Sequence, residues 1–196
     1  SGEIGKSLIF CVSQKHATKI TQILNEIAHR LFPMRYNSDF AVQVTSNVAE
    51  AQTMSINFAN NNLNGYTRFL EGYKSSKTRV CVTVGMMTTG YDCEDILNLC
   101  LMRPVFSPSD FVQIKGRGTR KFTFNYKDAH GELHTQTKER FKFFDFFANC
   151  EYFEEKFNYD EVLKVPRASS SSVGTEPPQP IDSITLTTPD AINILT

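Results

Sequence analysis

The feature that most constrains the fold is a series of short, largely apolar runs, the first of them continuous, set apart by helical or polar stretches. They are SLIFCVS at 7–13, RVCVTV at 79–84, LNLCLM at 97–102 and FKFFDFF at 141–147. A strand that meets water on one face alternates apolar and polar residues, whereas a strand covered on both faces can be apolar throughout. Parallel sheets are covered in this way because each crossover lays a helix on one face. After the first run, Ala17, Ile20, Ile23, Leu24, Ile27, Ala28 and Leu31 recur at helical spacing. An amphipathic helix is therefore expected over 15–31, ended by Pro33 and an Asn-Ser-Asp cluster.

The remaining elements follow the same logic. A short strand is expected at 41–45, a helix over 47–62 and a short helix or loop piece at 69–73. Ser107-Pro108-Ser109-Asp110 places a proline and a carboxylate in a first helical turn, so a helix should run from there into Gly116. Residues 123–126 and 133–135 flank Lys127-Asp128-Ala129-His130-Gly131, the pattern of a hairpin with a glycine turn. The last apolar run, 141–147, reads as a core strand, with Asp145 placed to cap the sheet edge. The expected fold class is α/β, a parallel sheet with helices on both faces plus a short hairpin insertion.

Composition bounds this reading. The 40% apolar share with 16 Phe suffices for a real core, and 21 basic against 21 acidic side chains leave no net charge to announce a nucleic acid. Locally the balance tips: Lys115, Arg117, Arg120, Lys121, Lys127, Lys138, Arg140 and Lys142 face only Asp128, Glu132 and Glu139 between 115 and 142. Five cysteines without a Cys-x-x-Cys suit a reducing cytosol rather than a disulfide scaffold. No signal peptide or membrane-spanning run occurs, so a cytoplasmic location without a membrane partner is expected. The opening Ser-Gly-Glu, without methionine, is expected of a fragment excised from a longer chain. The expected boundaries are a folded domain over 1–166, a Ser/Pro-rich linker over 167–180, and a tail over 181–196 leading into a further C-terminal region. That tail is expected to be flexible.

Chemistry concentrates in Gln113-Ile114-Lys115-Gly116-Arg117-Gly118-Thr119-Arg120. Two forked, always-charged guanidiniums three residues apart can face one way, and that suits phosphate oxygens. About 20 residues upstream, Thr88-Thr89-Gly90-Tyr91-Asp92 breaks a strand end into a glycine turn that carries a carboxylate. Ligands of α/β folds bind at strand carboxyl ends, although an Asp capping the next turn is the plain alternative. The order strand, Thr-Thr-Gly-x-Asp, strand, helix, Gln-x-x-Gly-Arg-x-x-Arg resembles motifs V and VI of superfamily 2 helicases and translocases. The wording is most similar to the motor (R) subunit of type I restriction enzymes, over about 6–150.

That resemblance implies a RecA-like second motor domain. It implies that Arg117 and Arg120 are arginine fingers toward ATP bound by a preceding lobe of the same chain, with Gln113 and Gly116 shaping the approach to the nucleotide. It makes Gly90 and Asp92 the ribose side of the nucleotide site, and Thr88 and Thr89 contacts to nucleic acid. Ser13-Gln14-Lys15 resembles motif IV; Ser13, Lys15 and, after the second strand, Thr45 would grip DNA phosphates, although ordinary helix capping explains Ser13 and Thr45 equally well. The implied partners are duplex DNA, the first lobe, and the modification and specificity subunits of a restriction complex. The implied cofactor is ATP with Mg2+ held by the first lobe, none of it bound stably here. Cys93-Glu94-Asp95 departs from the family, where an apolar residue and proline often follow the aspartate. Missing from 1–196 are a phosphate-binding loop, an Asp-Glu-x-His metal motif and a nuclease signature, so the chain alone is expected to be inactive. Gly5-Lys6-Ser7 lacks the earlier glycine and preceding strand that a phosphate loop needs. His130 and His134 straddle a glycine without a second ligand pair, so zinc is not expected. The alternatives are the lobe of another DNA or RNA helicase, or a non-catalytic α/β domain whose arginines bind an acidic partner.

Overall fold

A computed structural model describes residues 4–70, 73–85, 92–128 and 130–157, with backbone only at 67–70. Thr88, Thr89 and Gly90, and the expected linker and tail, lie outside the described residues. The body is a five-stranded sheet of order β2-β5-β1-β6-β9 with every neighbouring pair parallel. Its strands are β1 (Lys6–Cys11), β2 (Ala41–Gln43), β5 (Val80–Thr83), β6 (Ile96–Met102) and β9 (Lys142–Asp145). The helices are α1 (Gln14–Leu31), α2 (Ala51–Ala59) and α3 (Pro108–Gly118), and a π-helical turn, Glu151–Lys156, follows β9.

β1 shows why its apolar run is unbroken. Leu8 and Phe10 pack with Val44, Phe58 of α2, Phe111 and Ile114 of α3, and Phe153. Ile9 and Cys11 point to the other face, against Ala17 and Ala28 of α1 and Tyr36. Burying each such Leu, Ile or Phe stabilises the fold by about 1.5–3 kcal/mol, and period-two alternation makes one strand serve both cores. The expected α/β class, with helices on both faces, is the one found.

Four local expectations change. The 69–73 stretch is no helix: β3 (Tyr66–Leu70) and β4 (Tyr73–Ser76) form an antiparallel pair. It is fixed by buried polar bonding, with Ser76 donating to the Leu63 carbonyl and Arg79 donating to the Ser75 hydroxyl and the Ser76 and Ile4 carbonyls. The helix expected over 47–62 shrinks to Ala51–Ala59, because Asn47 is tied to Thr45 and Glu50 adopts a left-handed φ of 62°. The 141–147 run lies at the sheet edge: Phe141 and Phe143 pack against the core, while Phe144, Phe146 and Phe147 are exposed. Helix α3 continues through Gly116 to Gly118. The hairpin insertion is present as β7 (Thr123–Lys127) with β8 (Leu133–Thr137).

Candidate functional site

Helix α3 is started by Ser107, whose hydroxyl accepts from the Asp110 amide at 3.4 Å, with Pro108 fixing the first turn. It ends where the basic motif lies. Arg117 is half-buried in the last turn, and Arg120 is exposed just beyond the cap residue Thr119. Arg120 reaches back to the upstream motif: its Nε stands 3.3 Å from Asp92 Oδ1. Two motifs 28 residues apart in sequence thus meet. Both side chains are more than half exposed, so the pair contributes no more than about 1 kcal/mol and remains open to competition by a ligand.

The glycines divide differently from the sequence expectation. A Cβ at Gly116 would meet nothing within 4 Å, so the helix does not require glycine there. At Gly118 a Cβ would lie 2.4 Å from the Phe141 ring, a contact that forces movement. Gly118 is the glycine that packing demands, because it lets the end of α3 approach the segment entering β9. Gln113 donates from Nε2 to the Ser109 hydroxyl at 3.2 Å, one turn back on its own helix. Lys115 pairs with Glu154 of the π-helical turn.

The segment after Asp92 is held from three sides. Asp95, 3% exposed, accepts from Lys6 Nζ at 2.8 Å, from the Tyr73 hydroxyl at 2.5 Å and from Cys93 Sγ at 3.1 Å. Lys6 is 1% exposed and spends its other protons on the Phe58 carbonyl and Asn61 Oδ1, 2.6 and 2.8 Å away. Burial alone would raise the Asp95 pKa, but the Lys6 charge and hydrogen bond, with those of Tyr73 and Cys93, carry it below the ordinary carboxylate value. Burial, and then the Asp95 charge, push the Tyr73 phenol far upward. Lys138 is buried as well: its Nζ donates to the Glu94 carbonyl at 3.0 Å, and burial lowers its pKa. Neither Lys6 nor Asp95 was singled out in the sequence as functional. Gly5-Lys6-Ser7 proves to be the start of β1, and its lysine is a buried ion-pair partner.

The expected phosphate contacts lie elsewhere. Ser13 follows β1, and its hydroxyl accepts from the His16 amide at 3.2 Å as the N-cap of α1. Ser13 and Lys15 are exposed at the carboxyl end of the sheet. Thr45, at the same end, is only 1% exposed; its hydroxyl donates to Asn47 Oδ1 at 2.5 Å and accepts from Gln43 at 2.9 Å. The hydroxyl expected to meet a phosphate is instead committed to its own turn. Asp92 and Asp95 precede β6, and Arg120 follows the helix that returns from the end of β6. The Asp92–Arg120 pair and the Ser13–Lys15 cap therefore occupy opposite ends of the sheet.

Among the described residues one group could offer metal ligands. Asp128, Glu132 and His134 at the β7–β8 turn carry donor atoms within 4.8 Å of one another. The Asp128 carboxylate is already engaged: Oδ1 accepts from the His130 and Glu132 amides, and Oδ2 pairs with His134 at 2.8 Å. These bonds, the His134 one foremost, lower its pKa and account for the turn. The five cysteines form no disulfide. Burial pushes Cys11 and Cys100 up to about 11. Among the described residues no helix is long and apolar enough to cross a membrane.

No family model matches the chain. The endonuclease subunit of the type I restriction enzyme EcoKI, from Escherichia coli (strain K12), is 30% identical over 119 residues. This chain is homologous to a type I restriction enzyme subunit. The match covers 59% of this chain and 9% of the relative, so the chain spans a small part of that protein's length. The motifs in Thr88–Asp92 and Gln113–Arg120 pointed to the same family. A fragment assigned as an HsdR subunit of a type I restriction enzyme from Vibrio vulnificus YJ016 is similar in structure, with 28% identity and a TM-score of 0.49 over 76% of this chain and 24% of that one. S. cerevisiae Dbp5 bound to RNA and ADP BeF3 gives a TM-score of 0.49 at 15% identity, over 77% of this chain and 33% of that one.

Proposed function

We propose that the chain is the second motor lobe of an ATP-dependent DNA translocase, the motor part of a type I restriction endonuclease. The Asp92–Arg120 contact carries this reading, because it joins the carboxylate of one motif to the arginine of the other on a solvent-facing surface. ATP would be held by a preceding lobe of the same polypeptide. On lobe closure Asp92 exchanges Arg120 for the ribose hydroxyls, and Arg120 with Arg117 turns to the phosphates. There the guanidiniums stabilise charge on the transferring phosphoryl group, an effect worth about 10³–10⁵ in rate for arginine fingers. The open space over Gly116 leaves room for the nucleotide or the facing lobe to approach the helix backbone. Mg2+ on the phosphates, with ligands from the first lobe, would neutralise developing charge. Ser13 and Lys15, at the other end of the sheet, contact DNA phosphates, the role the sequence resemblance also implies for Thr88 and Thr89, so that cycles of closure move duplex DNA past the lobes. The working partners are then duplex DNA, the first lobe, and the modification and specificity subunits, in the cytoplasm.

The isolated chain tests this division of labour. It should show no ATP hydrolysis above background, because it brings fingers without a phosphate cradle. Its binding to nucleic acid should be weak, indifferent to sequence and steeply salt-dependent, as contacts to phosphate alone must be. Turnover that survives repurification and depends on Arg117 would overturn the two-lobe reading.

A further inference from the structure

Asp92 and Arg120 are both exposed, so their roles at ribose and phosphate depend on how the segments that carry them are placed. A residue outside both motifs links the two segments. Lys138 follows β8 and is 8% exposed. Its backbone N–H donates to the Phe122 carbonyl at 2.7 Å, two residues beyond Arg120. Its Nζ donates to the Glu94 carbonyl at 3.0 Å, two residues beyond Asp92. One residue therefore ties together the two segments that carry the pair, through one main-chain and one side-chain bond. The Glu94 side is already immobilised at its neighbour Asp95 by Lys6 and Tyr73. Tyr73 in turn packs edge-on against Phe122 and Phe124, at 6.0 and 5.3 Å between ring centres. Beyond the packed end of α3, Lys138 adds the direct hydrogen-bonded link between the Arg120 side and the Asp92 side.

We infer that Lys138 is a positioning residue for the nucleotide site, setting the relation of Asp92 to Arg120. Its position gives the β7–β8 hairpin a purpose: the insertion brings the chain back so that Lys138 can close the link. The inference rests on the proposed nucleotide role of Asp92 and Arg120. Placement errors of about 1 Å can cost on the order of 10²-fold in rate. Lys138→Met keeps the main-chain bond and removes only the Nζ link, so a smaller loss, about tenfold in kcat, is expected.

The test uses the full-length parent enzyme and compares DNA-stimulated hydrolysis of ATP with that of 2′,3′-dideoxy-ATP. Asp92→Ala should abolish the preference for ATP, and Arg120→Ala should abolish turnover. Lys138→Met should lower kcat and bring the ATP preference most of the way to the Asp92→Ala value. A merely structural loss would reduce the active fraction and leave that ratio unchanged. Lys138→Gln, a shorter polar replacement, should give the same shift and serves if the Met variant folds poorly. If Lys138→Met and Lys138→Gln retain the wild-type ratio while Asp92→Ala loses it, the positioning role is refuted and the motor reading stands. If Asp92→Ala and Arg120→Ala are themselves without effect, the motor reading fails, and this inference fails with it.

Discussion

Replacing Lys6 by Met should be among the most damaging single changes in the lobe. The substitution nearly conserves volume, so packing around Phe58 changes little; what is lost is charge. Lys6 Nζ bonds three acceptors, Asp95, the Phe58 carbonyl and Asn61, all within 2.8 Å. Asp95 would remain buried with only the Tyr73 hydroxyl and the Cys93 thiol. Removing one partner of a buried ion pair costs about 3–5 kcal/mol, mostly the penalty of the abandoned charge. Domains are stable by only about 5–15 kcal/mol, so the variant should lose on the order of 10 °C in Tm. The pH dependence carries a sign. In the wild type the Asp95 pKa is lowered, so its contribution is present above the ordinary carboxylate value near ~3.9 and is lost as pH falls through the depressed native value. In the variant burial dominates and raises that pKa, so the folded state takes up a proton that the unfolded state does not. The gap between variant and wild type should therefore narrow as pH is lowered from 7 toward 5. Adding Asp95→Asn should recover part of the loss. Urea unfolding of the isolated chain at both pH values measures this. A loss under about 1 kcal/mol at pH 7, or a gap that widens in acid, would refute the buried-pair account.

Other predictions follow from the same contacts. Gly118→Ala should be destabilising, since its Cβ meets the Phe141 ring at 2.4 Å, whereas Gly116→Ala should raise stability by about 0.5–1 kcal/mol through helix propensity; thermal melts of the two variants check this. Asn149→Ala should cost about 1–3 kcal/mol in chemical denaturation, because the buried amide joins the Val105 N–H, the Arg103 carbonyl and Asp145. Cys11 and Cys100, with pKa values pushed up to about 11, should resist thiol reagents at neutral pH until the chain unfolds.

The sheet was legible in the sequence because strands covered on both faces are largely apolar, and α1 because one stripe of a long helix must be apolar. The short β3–β4 pair was not, since Ser75 and Ser76 are buried through hydrogen bonds to Leu63 and Arg79 rather than through apolar character. The two motifs were visible locally. That Asp92 touches Arg120, that Gly118 rather than Gly116 is sterically required, and that Thr45 is buried all depend on tertiary approach. The Lys6–Asp95 pair joins residues 89 apart and leaves no periodic trace. Asp95 did fall in the stretch that departs from the family pattern, and its buried partner gives that departure a physical reason. Lys138 lay in a basic block that reads as a solvated face; burial alone distinguishes it from its neighbours.

DNA-stimulated ATPase of the full-length parent carrying Arg117→Ala or Arg120→Ala decides whether the two arginines act on a nucleotide held by another lobe. Both side chains lie at or beyond the end of α3 and outside the main core, so melting and DNA binding should be close to wild type. Turnover should be abolished while nucleotide affinity falls far less, because a finger acts chiefly in the transition state. Lysine at either position should fail nearly as badly, since one ammonium cannot reproduce the forked contact. Near wild-type turnover in both alanine variants would contradict that role and leave the basic helix end as a solvated surface.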